Sequence, residues 1–379
     1  MPKILSSVAC NLDANIISAS LPLLEESKVE AIEWSFDTLF NFTEIPSWFF
    51  ELLRAFGQQE RLIGHGVFFS LFSGKWSSGH IDWLKHLRQA CVEFHFDHIS
   101  EHFGFMTGKD FHSGAPLTIP YTARTLDIGR DRLKRIQDAC RCPVGLENLA
   151  FSYALDEVKR HGNFLEELLE PVNGFLILDL HNLYCQIHNF SISYDELILL
   201  YPLEKVREIH ISGGSWDHSF IDPDRSIRRD THDDSVPDEV FVLLENTIAK
   251  CPNLKYVVLE QLGNGLTTNE SRKSFYNDFL KMQDIVMNKE DLNLFDTMNS
   301  FLPLQSINPG TVIEDDLLHE QQLELSSILE SAPSFADAMQ SLNNSSLANS
   351  EWGIEKWKPY MIETAIHIAQ KWKKQNVSV

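Results

Sequence analysis

Short runs of Val, Ile, Leu and Phe alternate along this chain with longer stretches whose apolar residues recur at helical spacing. Eight runs have the length of strands, at 6–11, 30–36, 62–69, 96–103, 143–150, 175–180, 208–213 and 256–262. Between and after them the pattern predicts helices over 21–28, 47–59, 79–93, 130–140, 156–170, 194–205, 238–250 and 270–285. Strict alternation of this kind marks repeated βαβ units. Eight units in this span suit a closed (β/α)8 TIM barrel, which usually takes about 250 residues. An open doubly wound sheet is the alternative. It would gather its ligands near one switch point, and its dinucleotide form carries a Gly-rich turn after the first strand. Here Cys10-Asn11-Leu12-Asp13 follows instead, and candidate ligands are spread around the whole series.

Those candidates stand at the ends of the apolar runs: Gly64-His65-Gly66, Ser100-Glu101-His102, Leu146-Glu147-Asn148, Leu178-Asp179, Ile209-His210 and Leu259-Glu260. Strand ends form the working face of a TIM barrel, and nitrogen and oxygen donors gathered there suit a transition metal. His65 alone would also fit a core or loop histidine; the same placement recurs at His102 and His210. His98 and His102 share one face of a strand of period two, and only the outer one reaches the mouth. His102 is therefore the expected ligand, with His95 and His98 structural or orienting, and Glu101 packed outside the lumen.

Glu147 and Glu260 end strongly apolar runs, where an ionised carboxylate needs a compensating cation; a buried salt bridge to Arg is the competing explanation. Asn148 can add a neutral contact. Asp179, His181 and Asn182 crowd the end of the sixth run, with Asp179 and His181 expected on one face and Asn182 where the strand turns away. After His210 comes a polar loop too long to be mere connection. In it Asp230 and His232 can reach one metal, whereas Asp217 and His218 can equally be surface residues. Four histidines, four carboxylates and one asparagine exceed the three or four ligands of a lone catalytic ion, so two or three metals are expected. Without thiolates the set suits iron, manganese or zinc better than copper(I) or iron–sulfur clusters.

Composition narrows the classes further. The chain is 43% hydrophobic yet has no apolar stretch near the ~20 residues of a membrane span, so no membrane is expected. The N-terminal segment lacks the basic and apolar regions of a secretory signal, which makes the cytoplasm the default location. A formal charge of −22 opposes nucleic acid and disfavours polyanionic substrates. The six cysteines follow no repeated C-x-x-C pattern, which argues against a disulfide framework. Cys140-Arg141-Cys142 sits at a helix-to-strand junction on the opposite face of the barrel, and most of the thiols are expected to act as small buried hydrophobes.

Several of these segments in register resemble one family. Ser100-Glu-His-Phe103, Leu146-Glu-Asn-Leu149, Leu178-Asp-Leu-His-Asn-Leu-Tyr184, Ile209-His-Ile-Ser-Gly213, Asp230-Thr-His-Asp-Asp-Ser-Val-Pro-Asp-Glu-Val240, Leu259-Glu260 and the loop Pro116-Leu-Thr-Ile-Pro-Tyr-Thr122 are similar to the multinuclear non-haem iron-dependent oxidative enzymes, which include methanobactin-type oxidases. The resemblance spans about residues 5–285. It implies a barrel holding two or three irons, in mixed ferrous and ferric states, with dioxygen as co-substrate. It implies His65, His102, Glu147, Asp179, Asn182, His210, Asp230, His232 and Glu260 as ligands. It also implies oxidative modification of a ribosomally synthesised precursor peptide, commonly at cysteine, by ferric-superoxo hydrogen abstraction beside the sulfur. A partner protein that recognises the leader of the precursor peptide usually accompanies such enzymes.

Residues 1–287 are thus expected to form the metal-binding barrel and 288–379 a helical C-terminal extension. Amphipathic helices are expected over 315–329 and 357–373 around a polar break at 341–350, covering barrel surface or offering a docking platform with Trp352, Trp357 and Tyr360. Two other classes compete: a divalent-metal isomerase or phosphodiesterase barrel without redox chemistry, and a non-catalytic metal- or peptide-binding module.

Overall fold

A computed structural model of the protein describes residues 3–40, 44–107, 114–289 and 298–375. All eight expected strands form: β1 Leu5–Ala9, β2 Ala31–Trp34, β3 Leu62–Gly66, β4 His98–His102, β5 Val144–Glu147, β6 Phe175–Asp179, β7 Val206–Ser212 and β8 Tyr256–Glu260. They run parallel in sequence order and close through β1 and β8, with Leu5 opposite Tyr256. This is the expected TIM barrel. The register sets the site: His102 pairs with Glu147, Asp179 with His210, and Glu260 with Ser212.

Side chains alternate between lumen and helix layer along each strand. Leu5, Ala9, Ala31, Ile63, Tyr256 and Val258 form one apolar cluster, while Phe175 and Ile177 pack with Phe301. The other face of the strands joins the large core shared with the surrounding helices.

Most helices match expectation, with shifts that have local causes. The first, α1 (Ala14–Glu25), starts earlier than predicted because Asp13 Oδ1 accepts the N–H groups of Asn15 and Ile16. Pro22, suited to a first helical turn, lies inside it. Thr122 similarly caps the helix Ala123–Cys140, extending the one predicted over 130–140. The main correction follows β6. No continuous helix spans 194–205; a five-residue turn, Tyr194–Ile198, and a 3-10 turn, Leu203–Lys205, lie there instead. The barrel helix at this position is Leu180–Phe190, which starts on Asp179 itself, so His181 and Asn182 lie in a first helical turn rather than on or beyond a strand.

The C-terminal helices Asp316–Ser331, Phe335–Asn343 and Pro359–Gln375 are anchored on loops at the C-terminal face of the barrel. Gln322 bonds the backbone of both Phe72 and Gly74 after β3. Trp357 stacks on Tyr153 after β5 at 3.7 Å between ring centroids. Glu363 accepts from Ser219 Oγ and the Phe220 N–H after β7. Trp352 and Trp357 are thereby buried within the chain. Among the described residues no helix is long and apolar enough to cross a membrane.

Candidate metal centre

Barrel closure brings together all nine residues nominated from the sequence. Donor atoms of His65, His102 and Glu147 lie within 4.8 Å of one another, as do those of Glu147, Asp179, His210 and Glu260. Glu147 joins the two groups: Oε2 is 3.3 Å from His65 Nε2 and 3.2 Å from His102 Nε2, and Oε1 is 3.7 Å from His210 Nδ1. Asp230 and His232 arrive from the long loop after β7. His232 Nε2 is 2.9 Å from Asp230 Oδ1, and its Nδ1 is 3.4 Å from Glu260 Oε2. His232 adopts φ +52°, and its carbonyl accepts the Leu262 N–H after β8.

Local structure aims these groups. Asp179 caps the helix that follows it, taking the Asn182 N–H on Oδ1 at 2.6 Å and leaving Oδ2 for the site. Asn148 clamps the Asp179 backbone from both sides. Asn182 donates to the Asn148 carbonyl, which leaves its Oδ1 free of that bond. His65 Nδ1 lies 2.8 Å from Ser100 Oγ, which in turn donates to the Gly64 carbonyl; Nε2 therefore faces the site. Arg228 donates to His181 Nε2, so His181 presents Nδ1–H to Asp230 Oδ1 at 3.0 Å.

Six buried atoms of the candidate set make no hydrogen bond: His65 Nε2, His102 Nδ1, Asp179 Oδ2, Asn182 Oδ1, His210 Nδ1 and His232 Nδ1. Buried polar atoms are normally satisfied, and their concentration in one place is what a cation would relieve. The donors are imidazole, carboxylate and amide, a set that fits iron, manganese or zinc.

Electrostatics agree. Burial pushes the Asp179 carboxyl well above its usual range, helped by the charges of Asp230 and Glu147. Burial also opposes ionisation of Glu147, but contacts with His102 and His65 outweigh it and hold that carboxyl well below the ordinary value. Burial disfavours the His65 imidazolium, yet Glu147 and Glu33 raise it from 6.5 to about 9. Two opposite pH trends follow. A metal must displace the His65 proton, so affinity should climb from pH 6.5 to 9. The stability that the protonated His65 lends the metal-free fold is complete below 6.5 and lost as pH rises through about 9. Metal titrations and denaturant melts at the two pH values test both; an affinity independent of pH would contradict the proton displacement.

Not every candidate joins the centre. His98 lies deeper in the lumen, bonded to Glu208, whereas His95 is exposed at the end of the helix Ser78–Phe94. Glu101 is buried outside the lumen as expected, where its Oε1 crowds Gly66 on the side of Trp83. Asp217 pairs with Arg229 in the half-exposed ribbon beyond β7. Cys140 and Cys142 line a cavity at the opposite end, with Asp97 and Arg207. Sequence reasoning missed Glu33 and Glu208, both buried against His210, and the orienting residues Ser100 and Arg228. The period of two offered a signal for Glu208, two positions before His210 on the same inward face.

Residues 24–269 match a family model described as "RiPP precursor modification enzyme MbnB/TglH/ChrH". A "UPF0276 protein" of Chromobacterium violaceum is 30% identical over 203 residues, covering 52% of this chain and 69% of the relative. One of Caulobacter vibrioides is 28% identical over 183 residues, covering 48% of this chain; the match spans 62% of that relative's own length. Among solved structures, an IolI protein with a bound zinc atom is 14% identical at a TM-score of 0.46, over 75% of this chain and 96% of that one. Endonuclease IV from Thermus thermophilus is 9% identical at a TM-score of 0.44, over 74% and 99%.

Proposed function

This chain belongs to the MbnB/TglH/ChrH family of RiPP precursor modification enzymes, and we propose from that premise that it uses two or three iron ions and dioxygen to oxidise a ribosomally made precursor peptide, at a cysteine. One observation carries this reading: six buried nitrogen and oxygen atoms without hydrogen bonds converge at the barrel mouth, supplied by residues from four strands or the segments that follow them. We assign His65, His102 and Glu147 to one centre, Glu147, Asp179, His210 and Glu260 to a second, and Asn182, Asp230 and His232 to a third. We assign residues 1–287 to the catalytic barrel and 288–379 to an extension whose described helices brace its rim.

Bound iron, in mixed ferrous and ferric states, would supply Lewis acidity for a substrate thiolate and electrons for dioxygen. The protein's own part is geometric. Glu147 would hold two centres side by side, and the strands that carry the residues would fix their spacing. Side-chain exposure is 31% at His102 and 22% at Asp230 but 1% or less at His65 and His210, so the peptide enters from the side of the first pair. The buried histidines and Asp179 form the floor, from which water is excluded. A leader-recognising partner protein delivers the peptide, and the reaction takes place in the cytoplasm.

Anaerobically purified, iron-57-enriched protein should hold two or three irons per chain with coupled high-spin, N/O-ligated Mössbauer signals. It should also change the mass of a co-expressed cysteine-containing precursor peptide under air. Stoichiometric zinc or manganese that resists iron exchange would favour a non-redox isomerase or phosphodiesterase. Metal and peptide binding without any mass change would favour a binding module.

A further inference from the structure

Two carboxylates sit below the candidate ligands, on the lumen side of His210. Glu33 on β2 places Oε2 2.9 Å from His210 Nε2, and Glu208 on β7 places Oε1 3.3 Å from the same nitrogen. Both are buried, at 1% and 0% exposure. Glu208 Oε2 lies 2.7 Å from His98 Nε2, and Arg207 Nε donates to His98 Nδ1 at 3.2 Å. Arg207 also donates to Asp97 at 2.8 Å.

The direction of every bond in this chain is fixed at its lower end. A guanidinium only donates, so His98 Nδ1 accepts and His98 Nε2–H donates to Glu208. Glu208 accepts from His98 on Oε2 and, as a carboxylate, can only accept on Oε1 as well, so the proton between Glu208 and His210 sits on His210 Nε2, which Glu33 also faces. His210 Nδ1 is then left toward Glu260 at 3.3 Å and Glu147 at 3.7 Å, with no hydrogen bond of its own. His65 is oriented differently, by the neutral hydroxyl of Ser100.

We propose that Glu33 and Glu208 are positioning residues that hold His210 as an Nε2–H donor and turn its Nδ1 into the metal centre, with His98 and Arg207 fixing Glu208 in place. The inference rests on His210 as a metal ligand, though not on iron or on oxidation. Carboxylates behind a ligating imidazole fix its ring and raise its basicity, and losing such a partner costs about 10- to 100-fold in metal affinity.

Metal-free protein titrated with cobalt(II), followed by its visible d–d absorption, tests the proposal. Glu33→Met keeps the length of the side chain but removes the acceptor, and one cobalt site should weaken about 10- to 100-fold. Glu33→Gln retains an acceptor oxygen and should recover most of that loss. Equal binding by the Met and Gln variants would overturn the proposal. So would loss of an additional ion in Glu33→Met while the mouth sites stay filled, which would make Glu33 and Glu208 cation ligands themselves. Wild-type protein labelled with 15N-histidine and loaded with zinc gives a readout that needs no variant to fold: Nε2 of His210 should be protonated and Nδ1 metal-bound, and the reverse would refute the assignment. Wild-type protein that takes up neither ion overturns the metal reading and this inference together. Normal cobalt binding without peptide modification overturns only the proposed reaction.

Discussion

Glu147→Gln is expected to empty two metal sites at once and to abolish activity, although it alters a single atom. Glu147 is the one candidate shared by both donor groups, with His65 and His102 on one oxygen and Asn182 and His210 on the other. An amide removes the negative charge and presents N–H donors to ring nitrogens that must remain free for a cation. The metal-free protein should lose stability as well, because removing one partner from a buried ion pair costs about 3–5 kcal/mol. The sign of the pH dependence is fixed by His65, whose pKa is raised to about 9 largely through Glu147. Near pH 6 the wild-type imidazolium has its counter-charge and the variant does not, so the stability gap should be largest there and should narrow above pH 9. Elemental analysis and denaturant melts at both pH values measure the two effects. Full metal content in the variant would remove Glu147 from its bridging place.

Gly213→Ala should act on the other side of the mouth and more selectively. Gly213 follows β7 directly, and a Cβ there would meet the carbonyl oxygens of Ser235 and Asp234 at 2.1 and 2.4 Å. Both obstacles are backbone, so the segment carrying Asp230 and His232 must move. That segment has little freedom: the His232 carbonyl is bonded to Leu262, and Thr231 Oγ1 takes the Ser215 N–H at 2.8 Å. Overpacking of this kind costs roughly 1–3 kcal/mol. The metal content should fall by about one ion per chain, not to zero, because His65, His102 and Glu147 lie on other strands. Activity should fall with that ion. Retention of every ion and of activity would mean that the loop adapts without moving its donors.

The barrel was legible because its strands are apolar runs with strong turn boundaries, and because their polar ends recur at equivalent positions. The candidate ligands stood out for the same reason. What escaped was set by tertiary contacts. Leu180-His-Asn-Leu-Tyr-Cys-Gln-Ile-His-Asn-Phe190 has weak helical formers, and its helix depends on the Asp179 cap and on burial of Leu180, Leu183 and Phe190. Glu33 and Glu208 read as charges misplaced within apolar runs; only closure places them against His210. Arg228 became visible as the residue that orients His181 toward Asp230 only once the loop after β7 folded back beside His181.

The seam between β1 and β8 has a kinetic consequence. Leu5 and Tyr256 belong to opposite ends of the barrel sequence, and their pairing requires a long chain loop to close. Such non-local contacts form late and slowly. Glu260 ends β8, the strand that completes the ring, so the last carboxylate reaches the cluster only when the seam zips. An ion present during refolding would bind the finished ring far better than any open intermediate. It should therefore slow reopening of the seam without hastening the earlier steps, acting as a latch on the final turn of assembly.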